Sequence, residues 1–457
     1  MSGVNSASRS ALLESVTAEP EAGGLIRDLT PPDAARAAAR AELGLPADRP
    51  IVMVGHQAEL WHAGILAKLI AADEIAKAHG AALVWLTPDQ DANEPTMLAY
   101  PAETHEDRLT RREWMIDPNA FVRKGTPTGS RLAMEPSAVP RHARTEWPHE
   151  RVRAGLERIH NALVERRGEA SLAAQFTHTA LDLVRRTLDI NVDRVLLCSE
   201  MARGTGFGML AERMRREARS CVLAYNAAAQ AHPDANVRTL EMGPKWELPL
   251  WSLTPERPRQ AVYASEDAPR RVAPRALAMT GFARTLLCDA WVMGSGGRTY
   301  DAVTRQWLSA WMGRDDMAPG VVASATLRLP LRDGPQPDPD AAARAAWRVH
   351  HARHHPRMLG QDDRQRERDA LVVQIARAPR RSTERAALFS RLRAVLQDAR
   401  SEASATLETL REEAADHMDR LRDSDCVLDR TWPFALHDDD ALRELDGAVR
   451  SAVGLMA

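Results

Sequence analysis

Long apolar runs, clustered cysteines and an excess of charge of either sign are all missing from this sequence, and each absence removes a class of function. No apolar stretch approaches the roughly 20 residues that a bilayer span needs. The first twenty residues are polar and Ala-rich, without the apolar centre of a signal peptide, so the chain is expected to be cytoplasmic and to have no membrane partner. The four cysteines, Cys198, Cys221, Cys288 and Cys426, are scattered. They show neither the paired spacing of a zinc site nor the density of a disulfide framework. Cys198 and Cys288 lie in or beside apolar runs and read as buried thiols. Lys and Arg total 61 against 63 Asp and Glu, a balance that offers no field for nucleic acid or an anionic surface. The glycine-rich stretch Gly294 to Arg298 is neither a Walker loop nor a dinucleotide-binding fingerprint. At 457 residues the chain is long for one domain and predicts two or three units.

What is present starts with a strand–helix–strand unit. Ile51-Val52-Met53-Val54 is a continuous apolar run that stops at Gly55-His56-Gln57, as a buried parallel strand does. Apolar residues then recur at helical spacing from Trp61 to His79, and Gly80 stands where a helix C-terminus favours it. A second run, Leu83-Val84-Trp85-Leu86, ends at Thr87-Pro88-Asp89-Gln90-Asp91. A right-handed crossover would bring the His56-Gln57 and Asp89/Asp91 loops to one carboxyl edge, where open α/β sheets bind ligands.

The rest of the chain follows in order. Residues 1–45 form an N-terminal segment with one amphipathic helix from Asp33 to Leu43, and 95–150 is a polar excursion placed to act as a substrate-facing lid. Two helices fit 151–190, and Val195-Leu196-Leu197-Cys198 reads as a third strand. A turn and helix follow over 204–225, then irregular or antiparallel structure over 240–263 and a short helix opening at Pro274. Ala290-Trp291-Val292-Met293 reads as a fourth strand, closed by a glycine loop, Gly294-Ser295-Gly296-Gly297-Arg298. Such a loop can form an anion-binding nest, with a helix beginning near Tyr300 adding its dipole, although plain turn chemistry is the commoner meaning. Val321 to Leu331 alternates like a strand, and 330–339, with Gly334 and Pro335, reads as a linker. Residues 341–422 are charge-rich and helical with breaks at Pro356 and Pro379; an apolar seam after Arg381 predicts one long helix over 381–422, paired within the chain or across a homodimer. The last helix, about 439–455, is expected to return to the core. The expected division is therefore 1–45, a core of 46–330, a helical coiled-coil arm of 340–425 and a closing segment of 426–457.

Several segments together resemble the bacillithiol-biosynthesis cysteine-adding enzyme (BshC) family. Gly55-His56-Gln57-Ala58-Glu59-Leu60-Trp61 is similar to that family's GQQ-x-G-L-F entry into its first helix, and Trp85 to Glu94 to its segment around Asp-His-Asp. Ala273-Pro274-Arg275-Ala276-Leu277 resembles a PRA[LV] motif, Gly294-Ser295-Gly296-Gly297 a G-P-G-E loop, and Val321 to Leu327 an R-x-S-x-T-L strand. The blocks are short but keep the family's order across roughly residues 45 to 435. The resemblance implies an α/β Rossmann-like parallel-sheet core with inserted connecting regions, a C-terminal coiled-coil arm that makes homodimers, ATP or ADP as cofactor, and a ligase that adds L-cysteine to glucosaminyl-malate. Four positions depart from the pattern: His56 replaces a Gln, Gln90 the His between the carboxylates, Gly297 a Glu and Ala323 an Arg. An altered substrate, or a catalytically silent homologue serving as a dimeric assembly or regulatory protein, is the alternative.

The candidate catalytic residues are His56, Asp89 and Asp91; the candidate substrate- or nucleotide-binding residues are Gly55, Gln57, Arg275, Gly294, Ser295, Gly296 and Arg298. His56 has three readings: phosphate contact, acid/base work, or a helix cap. His62 reads as a helix-surface residue. Asp89 and Asp91 would share a Mg²⁺ ion only if the chain turns there, and capping of a helix is an equal reading. Arg275 and Arg298 suit bidentate pairing with anions, so Arg298→Ala is expected to weaken binding, and Asp91→Asn to impair turnover more than binding. His350, His351, His354 and His355 have i, i+4 spacing, but without a carboxylate or Cys among them no metal site is assigned. Trp85 and Trp291 read as core. All the candidate loops are expected to line one cleft.

Overall fold

The computed structural model describes residues 13–20, 29, 32–118, 124–141, 146–254, 257–266, 271–333 and 336–454; residues 1–12 and Gly334 and Pro335 of the expected linker lie outside these. In chain order the elements are β1 (Leu13–Pro20), α1 (Ala34–Glu42), β2 (Ile51–Gly55), α2 (Ala63–Ala78), β3 (Ala82–Thr87), β4 (Met97–Thr104), β5 (Leu109–Met115), β6 (Glu146–Pro148), α3 (Glu150–Glu165), α4 (Leu172–Leu188) and β7 (Arg194–Leu197). They continue with α5 (Cys198–Met201), α6 (Thr205–Arg216), α7 (Ala218–Ala231), β8 (Glu247–Ser252), β9 (Gln260–Tyr263), β10 (Val272–Pro274), α8 (Ala276–Phe282), β11 (Ala290–Met293), α9 (Ser295–Met312) and β12 (Gly320–Leu327). The C-terminal helices are α10 (Pro339–Ala352), α11 (Asp362–Arg377), α12 (Thr383–Glu402), α13 (Ser404–Arg422), α14 (Ser424–Val427) and α15 (Asp439–Gly454).

The protein is an α/β protein built on a six-stranded, mostly parallel sheet of order β1-β12-β11-β2-β3-β7. The four strands expected from short apolar runs, β2, β3, β7 and β11, lie parallel in it, joined by β12; β1 adds itself antiparallel along the outer side of β12. The central strands read as unbroken apolar runs because both of their faces are covered. On one face Ile51, Met53, Val84, Leu86, Trp291, Met293 and Val322 merge into a core with Phe207, Met214, Phe282 and Trp307 of α6, α8 and α9. On the other face α2 packs over β2, β11 and β12, with α15 against α2. There Trp61 stacks on Trp85 at 4.2 Å between ring centroids, and Phe434 lies 6.3 Å from Trp61. Trp85 is core, as expected.

Two small antiparallel sheets, β10-β8-β9 and β5-β4-β6, account for the irregular stretches of the sequence. The first unit comprises 1–103, 111–330 and 430–457, and the second 104–110 and 331–429. In the second unit α10 packs on α13 and α11 on α12. The helices break at Pro356 and stop at Arg377 before Pro379, as proline's missing N–H and fixed φ require. The expected single helix over 381–422 is instead interrupted at Ala403, whose φ of −108° and ψ of 30° separate α12 from α13. Of the apolar seam, Val395, Ala399, Ala403 and Leu407 are buried within the chain, while Met418 stays exposed. Among the described residues no helix is long and apolar enough to cross a membrane.

Candidate functional site

From β2 the chain builds outward through β3 to β7, then returns to the other side of β2 to place β11 and β12. Connections therefore leave β2 and β11 in opposite directions, and a crevice opens between their carboxyl ends. That crevice holds a cavity of about 480 Å³ lined by Gly55, His56, Gln57, Lys68, Asp91, Gly294, Gly296 and Tyr300, with Trp291 and Met293 among its apolar walls. Gly55 is required where β2 meets β3: a Cβ there would lie 2.1 Å from the Leu86 carbonyl oxygen.

His56 sits at the first bend after β2. Its Nε2 is 3.0 Å from Glu59 Oε1, so in the neutral ring Nε2–H donates to the carboxylate and the lone pair remains on Nδ1. Burial and the nearby Lys68 charge hold its pKa below the ordinary imidazole value, against the opposing pull of Glu59. Gln57 Nε2 donates to Asp91 Oδ2 at 2.9 Å, and Arg259 Nη1 donates to Asp91 Oδ1 at 2.7 Å, so Asp91 is anchored on both oxygens at the crevice wall.

Four sequence candidates are placed elsewhere. Asp89 is 2% exposed, its Oδ1 accepts the Ser199 N–H at 2.8 Å, and it does not line the cavity. It caps α5 from another segment, and burial raises its pKa. Asp91 turns instead to Gln57 and Arg259, and among the described residues no group of three His, Cys, Asp or Glu side chains is placed to hold a metal ion. Arg275 is 8% exposed, with Nη2 2.6 Å from Glu247 Oε1 and its guanidinium 4.0 Å from the centroid of Trp251. It is held by a buried pair. Arg298 turns away to Glu19 of β1 at 2.5 Å and, with Ser295, stays off the cavity wall. The glycine stretch is not a loop: Gly294 is the N-cap of α9, which begins at Ser295, five residues before Tyr300. His62 is half-buried and caps α2, its Nδ1 accepting the Gly64 N–H at 3.0 Å. Asp89→Ala should lower stability by about 1–2 kcal/mol, read from urea unfolding, while Asp89→Asn, which keeps the acceptor, should lose less than half as much.

Three contributors escaped sequence reading: Glu59, Arg259 and Lys68. Lys68 is 5% exposed, and its Nζ donates to the Gly55 carbonyl at 2.9 Å; among the described residues no carboxylate lies in ion-pair reach. Burial draws its pKa down to about 8. A signal for it existed. Lys68 stands alone among Ile65, Leu66, Leu69 and Ile70 in a helix buried nearly all round, and such a helix rarely keeps an idle charge. Nothing local marked Arg259. The excursion read as a lid contributes a turn, Thr128–Ser130, whose Thr128 and Gly129 N–H groups both donate at 2.8 Å, to the Asp91 and Asp89 carbonyls. No protein-family model matches the chain, and no curated protein matches it.

Proposed function

We propose that the protein is a small-molecule enzyme with a Rossmann-like core, acting in the crevice between β2 and β11, and that its reaction is the ATP-linked joining of cysteine to an aminosugar conjugate, glucosaminyl-malate. The observation that carries this reading is the convergence of His56, Gln57 and Asp91 on one cavity at the topological switch point. In an amide-forming reaction the attacking amine must lose a proton. His56, kept neutral by burial and oriented by Glu59, suits that task through Nδ1. Asp91, gripped by Gln57 and Arg259, orients the amine or carboxyl group beside it. The cavity of about 480 Å³ lies in the usual range for a small-molecule site.

A second reading, the catalytically silent homologue that works as a homodimer, draws support from the second unit. Its helices leave Trp347, Val372, Val373 and Phe389 in solvent, as a surface awaiting a second copy would. One experiment separates the two. Calorimetric titration with ATP and with glucosaminyl-malate is run beside a mass-spectrometric assay for the cysteinyl product. An active wild type should lose about 10²-fold in turnover on His56→Asn while binding stays within a few fold. Absence of both binding and product, together with a dimer in sedimentation, would replace the enzyme reading with the silent one.

A further inference from the structure

We propose that Lys68 and the first turn of α9 form a receptor for one anionic group, a phosphate or a carboxylate, on the ligand that enters the crevice. The proposal rests on the crevice being a ligand site and names the charge that its occupant must carry. The first N–H groups of a helix have no intrahelical acceptor, and they carry the positive end of the helix dipole. At α9, an 18-residue helix, no side chain caps them. Gly294 and Gly296 face the cavity, and a Cβ on Gly296 would meet nothing within 4 Å, so an anion has open access to this turn.

The second observation is independent of the helix. Lys68 reaches the same place from α2: its Cδ lies 3.6 Å from where a Gly294 Cβ would stand. Its ammonium has three donors and uses one on the Gly55 carbonyl. The two carboxylates that line the cavity do not neutralise it, because Asp91 is held by Gln57 and Arg259, and Asp301 by Arg284. Glu59 acts on Lys68 through space and opposes the larger effect of burial, but its carboxylate is bonded to His56 Nε2 at 3.0 Å and, among the described residues, forms no ion pair with the ammonium. A buried cation with two donors unused and, among the described residues, no carboxylate paired to it costs free energy that most helices avoid by placing an apolar residue there. An incoming phosphate or carboxylate oxygen would satisfy Lys68 and the α9 N–H groups together, through charge-assisted hydrogen bonds.

The test uses the full chain and two probes in calorimetry, inorganic pyrophosphate for the phosphate source and malate for the carboxylate source. The wild type should bind at least one of them. Lys68→Met, which keeps length and suits the apolar surroundings, should weaken that binding by about 10- to 100-fold. Gly296→Asp provides a variant whose folding is not in question, since an acidic residue in a first turn favours the helix; its carboxylate should repel the probe and cause a similar loss. Arg298→Ala, outside the cavity, should change binding less than twofold. Wild-type protein that binds neither probe overturns the receptor, as does Lys68→Met binding as tightly as the wild type. Cysteinyl product formed by a protein whose Lys68→Met variant binds both probes normally would refute the receptor and keep the ligase. Pyrophosphate bound through Lys68 with no product formed would do the reverse.

Discussion

Asp289→Ala will destabilise the protein by about 3–5 kcal/mol, the largest effect expected of any single substitution discussed for this chain. Asp289 stands just before β11 and ties together the amino ends of the two strands that frame the crevice. Its Oδ2 accepts the Ile51 N–H of β2 at 2.7 Å and an Arg40 Nη2 donor also at 2.7 Å, while its own N–H donates to the Ile51 carbonyl at 2.8 Å. Arg36 approaches the other oxygen at 3.0 Å. Arg40 is 0% exposed, so deleting the carboxylate strands a guanidinium where water cannot reach it. The free energy follows from that orphaned charge more than from the lost attraction. Arg40→Met combined with Asp289→Leu removes both partners and should recover more than half of the loss. Urea unfolding of the three proteins tests this; a loss below about 1 kcal/mol for Asp289→Ala would refute it.

The second large effect is acid destabilisation centred on His437. Its side chain is 2% exposed, and neither ring nitrogen finds a hydrogen-bond partner among the described residues. Burial holds its pKa down to about 4. The folded value lies below that of the unfolded chain, near 6.5, so the unfolded chain takes up the proton first. The contribution is therefore complete above about pH 6.5 and falls as pH drops through this window to about 4, reaching about 3 kcal/mol for a fully buried ring. His62, also drawn down to about 4 by burial, must stay unprotonated at Nδ1 to cap α2 and acts in the same direction, less strongly because solvent partly reaches it. Unfolding free energies measured from pH 7 to pH 4 should decline steadily in the wild type. His437→Leu should flatten that slope, since it removes a buried polar ring that has no partner. Parallel slopes for the two proteins would exclude His437 as the cause.

How far local pattern reaches is visible in particular elements. Ile51 to Val54, Leu83 to Leu86 and Ala290 to Met293 are legible as strands because short unbroken apolar runs are what a sheet covered on both faces demands. Pro356 and Pro379 mark helix breaks through their own covalent geometry. The same reasoning misjudged Gly294 to Arg298. Glycine's low helix propensity suggests a loop, yet the packing of α9 against α7, α8 and β12 carries the helix back to Ser295. The break at Ala403 had no sequence mark either, as alanine is the best of helix formers.

The candidate site divides along the same line. His56, Gln57, Asp91 and Gly294 could be placed at one edge from strand pattern and crossover handedness, which are local and chiral rules. Which charged groups remain available for chemistry is a question of partners, and the partners are remote in sequence: Ser199 for Asp89, Glu247 for Arg275, Glu19 for Arg298, Arg259 for Asp91. A side chain's charge is written in the sequence, but whether it is spent on a neighbour depends on distances of about 3 Å that the packed chain alone sets. For that reason the strands and their edge could be read from residue order, whereas the withdrawal of Asp89, Arg275 and Arg298 and the emergence of Lys68 came only with the tertiary structure.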